Sequence, residues 1–536
     1  MKVRSALAAG TGILLLALLY HAGAGPGFWA FKHGFEWAAL VAACAFIPII
    51  GYFLPIKSSH IRIVRLNVPV ILIVSALCAV AMWTFRQRLI LPPPQGNGDG
   101  IFLLEQIPVF AELFGFRASF DEILELYIHS KFYLACKAFG ISILDSYAIL
   151  SCFAGFIYTA IVLDFLNNRP RRHWILGIAL LLFTPAIQLF FGYVEHYDGP
   201  TVLIGACAML ALRWETPGHR QWLALGILAA LGAAFHMMAG ISILPLAYYC
   251  WIKSGNRASF LRNALHAAIP AGAVLGIVWI YFLLLAKHPI VLGESFFVKP
   301  PFYPWRQILS AKHFTDMFNL LLMGMPALLC VVPLLLFSRP RLPWRDQRIV
   351  FTSIGFAGFL LASFVIHPLL DFPADWDLFS IFQVYGNLFL FELLRTMDRA
   401  EEVDFQGLLP GILVVCMIST GLWINRNHKN PPESQLTLSR ILANSEQFLS
   451  QIRTDRVFRD APEGRKKKVA AVKLFLLGAR NKAIRNGNSA LTSEIDHEVL
   501  EFDRFAVLPE EEYKSNYPII WGRLTDLNRR IEELPP

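Results

Sequence analysis

Carboxylates and imidazoles crowd a few short segments of a chain that is otherwise strongly apolar. GYVEHYDGP, from Gly192 to Pro200, packs Tyr193, Glu195, His196, Tyr197 and Asp198 into the end of an apolar run. Charged groups at a bilayer edge carry a desolvation cost unless paired or hydrated, so they point to a cavity or a pathway. An interfacial aromatic belt with solvated charges is the competing reading. DWDLFS repeats the theme, with Asp375 and Asp377 flanking Trp376 directly before another run. An aromatic ring between acids suits a sugar, whose face packs on the ring while the acids accept hydroxyl hydrogen bonds.

Further acids stand before two stretches with helical apolar spacing. Asp99 precedes IFLLEQIPVFAELFG, and Asp121 with Glu122 precedes ILELYIHSKFYLACKAFG. Helix capping, worth about 1 kcal/mol, competes here with general-base catalysis. Gly98 and Gly100 leave Asp99 open to a substrate. His236, after LGAAF, reads either as a satisfied packing histidine or as a group facing a substrate. In the loop from Lys287 to Thr315, Arg306 joins Lys299, Lys312 and His313 among prolines and aromatics. These cations suit a lipid-linked phosphate, or juxtamembrane anchoring. External carboxylates also suit a divalent ion, which makes a metal a candidate cofactor. The sequence has no GxxxxGK[ST], no dinucleotide GxGxxG after a strand, no HExxH and no CxxC pair, so ATP-driven chemistry is not expected.

The scaffold that must position these groups reads as membrane-embedded. Of 536 residues, 56% are hydrophobic and only 16% charged, against about 25% charged in soluble domains. The net charge of +9 suggests nucleic acid, but the basic residues sit in short loops between apolar runs, which fits topology rather than phosphate reading. Seven of the eight cysteines lie inside apolar runs, and no disulfide framework is expected. Lys2 and Arg4 before the first run fit an uncleaved helix, with a signal peptide as the competing reading.

Runs long enough to span begin near Ala6, Phe35, Val68, Tyr147, Trp174, Thr201, Trp222, Ala239, Ala264, Met317, Ile349, Phe379 and Leu408, about thirteen in all. With the N-terminus in the cytoplasm, every inside connection is basic: Lys57/Arg62/Arg65, Arg169/Arg171/Arg172, Arg213/Arg220, Lys253/Arg257/Arg262, Arg339/Arg341/Arg345/Arg348 and Arg395/Arg399. The same alternation puts Asp99, Asp121, Glu122, Glu195, His196, Asp198, Asp371, Asp375 and Asp377 together on the external face. The expected fold is therefore all-α: two extra N-terminal helices (1–66), a transmembrane core (67–424) with a large external loop (86–145), and a soluble helical tail (425–536). An odd span count puts the tail outside. In that tail, RKKKVAAVKLFLLGARNKAIR reads as a solvated helix face or as a surface for anionic headgroups.

Over about Val68 to Trp423 the chain resembles the GT-C superfamily of polytopic glycosyltransferases, which includes protein O-mannosyltransferases and aminoarabinose transferases. The span ending near Phe85, then Asp99, then two surface-helix stretches look like that superfamily's first external loop. GYVEHYDGP and DWDLFS also look like segments of bacterial membrane proteins grouped with these enzymes. The resemblance implies inverting transfer of a sugar from a polyprenyl-phosphate donor to a glycan, lipid or protein acceptor at the external face of a bacterial inner membrane. It implies a general base at Asp99 by position. The superfamily's paired-acid motif is not adjacent to Asp99, and the Asp121-Glu122 pair lies one helix later, so the base lies at either site. A lipid-linked saccharide flippase or other secondary transporter is the alternative, although no matched pair of halves is visible. A noncatalytic scaffold would leave the gathered acids unexplained.

Overall fold

The computed structural model describes residues 2–22, 63–88, 100–116, 121–282, 302–367, 376–428, 432–455 and 487–532, with individual positions between 457 and 484. Asp99, Asp371, Asp375 and the run near Phe35 lie outside the described residues. Almost everything described is helical: α1 (Lys2–Ala22), α2 (Val68–Thr84), α3 (Gly100–Phe114), α4 (Ile123–Lys137), α5 (Ile143–Leu166), α6 (Arg171–Leu182), α7 (Asp198–Arg213), α8 (His219–Phe235), α9 (Ile243–Ser254), α10 (Arg257–Ile280), α11 (Ala311–Gly324), α12 (Leu328–Ser338), α13 (Gln347–Val365), α14 (Phe382–Arg399), α15 (Phe405–His428), α16 (Pro432–Thr454), α17 (Ser489–Ala506) and α18 (Glu510–Glu532). Two short strands, β1 (Ile63–Val64) and β2 (Arg169–Pro170), pair antiparallel. The expected all-α class fits.

Among the described residues, five helices are long and apolar enough to cross a membrane: Ile143–Leu166, Arg257–Ile280, Gln347–Val365, Trp376–Arg399 and Gly407–Asn425. Counting α11 and α12 as one span bent by 99° makes six. The sequence runs suggested about thirteen; the run near Phe35 lies outside the described residues, and others are interrupted locally. Pro185 ends the run at Trp174 in a 3-10 turn, Pro185–Phe190, after only 12 helical residues. His236 leaves helical geometry, so the runs at Trp222 and Ala239 become helices of 17 and 12 residues around a second 3-10 turn. About 20 residues are needed to cross the hydrocarbon core in one straight helix.

Along α10 no side chain is buried, and Leu261, Leu265, Ile269 and Ile277 stand exposed. An apolar helix with so much hydrophobic side chain left uncovered requires a nonaqueous neighbour, which a bilayer supplies. Where helices meet closely, the contact residue is small. A Cβ added to Gly407 of α15 would lie 2.9 Å from the Ala6 nitrogen of α1, and one on Gly226 of α8 would meet the Ala267 backbone of α10.

Contacts divide the chain into two compact units, Met1–Leu104 with Ala118–Leu438, and Glu105–Arg117 with Ser439–Pro536. In the second unit, Val469, Leu476, Leu491, Ile495, Phe502, Phe505 and Leu527 share a core. The apolar stripe of the basic segment thus packs into its own unit. Arg523 and Arg530 pair with Glu498 and Glu494 at 2.6 and 2.5 Å.

Candidate functional site

The segment from Gly192 to Pro200 is fixed before it reaches the site. Gly192 has φ +70°, a left-handed conformation natural to glycine, and its N–H donates to Ser151 Oγ at 3.0 Å. The chain then turns through Tyr193 to Tyr197 and enters α7 at Asp198. At the start of α4, Glu122 holds the N-cap position, but its side chain makes no capping bond. Its carboxylate instead faces two imidazoles: Oε2 lies 3.3 Å from His196 Nε2, and Oε1 lies 3.6 Å from His236 Nε2. The Met238 N–H donates to His236 Nδ1 at 3.2 Å, which leaves the ring proton on Nε2, facing Glu122. A neighbouring bond, Met237 N–H to the Asp121 carbonyl at 3.0 Å, holds the His236 turn against the start of α4. Tyr197 packs on His236 with ring centroids 5.0 Å apart.

One turn further along α4 lies a second layer. Glu125 and His129 are four residues apart, on one face of the helix, and His129 Nε2 sits 2.9 Å from Glu125 Oε1. Both are buried, His129 stacks on Tyr147 at 4.0 Å, and Asp198 comes up against them from α7. Gly199 makes this approach possible, because a Cβ there would lie 2.8 Å from Glu125 Oε2.

Ligand atoms from Glu125, His129 and Asp198 all lie within 4.8 Å of one another, a spread that donors about 2.0–2.5 Å from one cation can span. Burial drives the chemistry of the trio. Desolvation lifts both carboxyls well above the usual carboxylate range, helped at Asp198 by Glu125, and pushes His129 down to about 4. Carboxyls biased toward their protonated form, beside an imidazole held neutral, form a set whose protons a divalent cation would displace. The donor chemistry, two oxygens and one nitrogen, fits such an ion.

Glu195 is also buried, and its Oε1 accepts the Gly100 N–H at 2.8 Å, tying this segment to the first residue of α3. Tyr193 meets Trp376 at 5.2 Å, and Trp376 meets Trp423 at 5.7 Å, so the GYVEHYDGP and DWDLFS segments do converge. Asp377 is buried beside Trp376 and accepts the Leu378 N–H at 3.0 Å. Arg306 is exposed on the short helix Trp305–Ile308, and no described contact brings it to the cluster.

Glu122, Glu195, His196, Asp198 and His236 therefore share one neighbourhood, with Asp121 contributing its backbone. Sequence reasoning missed Glu125 and His129. Their i, i+4 spacing was the available signal, hidden in a stretch read only for its apolar periodicity. No protein-family model matches the chain, and no curated protein or solved structure matches it.

Proposed function

We propose that this protein is a polytopic membrane glycosyltransferase of about thirteen spans, with its N-terminus in the cytoplasm of a bacterium. It moves a sugar from a polyprenyl-phosphate donor to an acceptor on the external face of the inner membrane. The observation that carries this reading is the linked cluster of Glu122, His196, His236, Glu125, His129 and Asp198, drawn from three separate segments.

In the reaction, the acceptor hydroxyl oxygen bonds to the anomeric carbon, the bond from that carbon to the phosphate oxygen breaks, and the phosphate leaves with the electron pair. Glu122 takes the hydroxyl proton, and His196 and His236 hold its carboxylate in place. Glu125, His129 and Asp198 would hold a divalent cation, which supplies positive charge to a phosphate leaving group when bound. Trp376 and Tyr193 provide an aromatic wall of the kind that packs on a sugar face.

The 99° break between α11 and α12 favours a second reading, a flippase for a lipid-linked saccharide, because transporters build their sites on broken helices. Mass spectrometry of envelope lipids and glycans from cells with the wild type or Glu122→Gln separates the two. A sugar-sized mass increment present only with the wild type is the expected result. An increment of equal abundance in the variant contradicts the transferase assignment of Glu122.

A further inference from the structure

The opposite ends of the same helices hold a chemically contrary cavity. α7 begins at Asp198 in the cluster and ends at Arg213, about 24 Å away by helix rise. Near its start α5 stacks Tyr147 on His129, and it leads at its far end to Asn167, Asn168 and Arg169. At that far end lies a cavity of about 620 Å³, within the range of small-molecule sites.

Its wall is cationic. Arg169 comes from β2, Arg213 from α7, Lys253 from α9, Arg345 and Arg348 from the entry to α13, and Arg395 and Arg399 from the last turns of α14. Two acids, Glu215 and Asp346, line it too. Asp164 pairs with Arg213 and Glu392 with Arg395, so seven cations face four carboxylates. A bias of basic loops toward one face explains which side these residues occupy, but not a concave arrangement of guanidinium groups.

Two details distinguish this cavity from a solvated basic surface. Arg395 is only 2% exposed; its Nε donates to Glu392 Oε2 at 2.8 Å, and its buried Nη1 has no protein acceptor. Burying an unmet charged donor is costly, and an anion in the cavity would remove that cost. Arg169 is held by rings, with its guanidinium 4.6 Å from Phe165 and 5.2 Å from Phe391. Desolvation, with Arg395, Arg348 and Arg399 nearby, holds that guanidinium down to about 10 against the pull of Glu392.

We propose that this cavity is a binding site for a phosphoanion carrying two or more negative charges, gripped by Arg169, Arg345, Arg395 and Arg399. The site is separate from the glycosyltransferase reading and stands whether or not that reading does. Its ligand is either a soluble pyrophosphate-bearing molecule or the headgroup of an anionic lipid, which share this chemistry.

The test uses the full-length protein in phosphatidylcholine nanodiscs, with inorganic pyrophosphate as the soluble probe and added phosphatidic acid as the lipid probe. Two variants accompany the wild type. Arg345→Gln/Arg399→Gln removes two exposed charges, and Arg395→Lys keeps the charge beside Glu392 while removing the guanidinium fork. Saturable pyrophosphate binding by calorimetry, weakened at least tenfold in both variants, supports a soluble ligand. Phosphatidate retained by the wild type through native mass spectrometry and lost from both variants supports a lipid headgroup. Binding of neither probe, or binding unchanged in both variants, overturns the site.

Discussion

The two ends of this helical unit solve opposite electrostatic problems with the same helices. At one end, carboxylates and imidazoles are set against each other: Glu122 between two histidines, and Glu125 with Asp198, both biased by burial toward the protonated form, beside a neutral His129. At the other, guanidinium groups crowd a cavity with too few carboxylates to match them. Carboxylates and imidazoles can discharge by changing protonation at accessible pH, whereas arginine cannot. The first end therefore suits proton transfer and cation binding, and the second suits capture of a preformed anion.

Removing chemistry at the first end should have the largest effect. Glu122→Gln keeps the shape but loses the proton acceptor, and sugar transfer should fall about 10²- to 10⁴-fold, measured as initial rates in isolated membranes. A fall below tenfold would move the base elsewhere, with Asp99 the first position to test.

Trp376→Ala removes the ring that joins Tyr193 to Trp423 and should cost about 3–5 kcal/mol of stability, read as a drop in the unfolding midpoint in detergent. An unchanged midpoint would mean that the two acid-bearing segments do not depend on that contact. Asp198→Asn should weaken binding of a divalent cation by at least tenfold, measured by calorimetry with Mn²⁺ or Zn²⁺ on chelator-stripped protein. Equal affinity in the variant would remove Asp198 from the ligand set. A stability loss of about 1–3 kcal/mol is expected for Gly199→Ala, whose methyl group crowds Glu125 Oε2 and the Phe235 ring. If thermal melts of that variant match the wild type, α7 and α4 approach each other less closely than the structure has them.

Much of this was readable from residue order alone. The two apolar-periodic stretches after Asp99 and Glu122 are helices α3 and α4, and the parity of the basic loops put Glu122, Glu195, His196 and Asp198 on one face. Charge alternation speaks to sides. It does not record depth or shape. Arg169, Arg213, Arg345 and Arg395 read as loop markers, although they wall one cavity, because concavity arises only when several helix ends pack together. Glu125 and His129 were hidden because their spacing matters only once Asp198 arrives from another helix. At Pro185 and His236 continuous apolar sequence holds a 3-10 turn, which the length of an apolar run alone does not reveal.

The most direct test is whether the two ends face opposite sides of the bilayer. Single cysteines placed at Phe139, exposed after α4, and at Glu215, exposed after α7 and lining the basic cavity, would be challenged with a membrane-impermeant maleimide in intact cells. Phe139→Cys should label above the parent protein from outside, and Glu215→Cys only after the membrane is opened. Labelling of both from the same side would contradict the account.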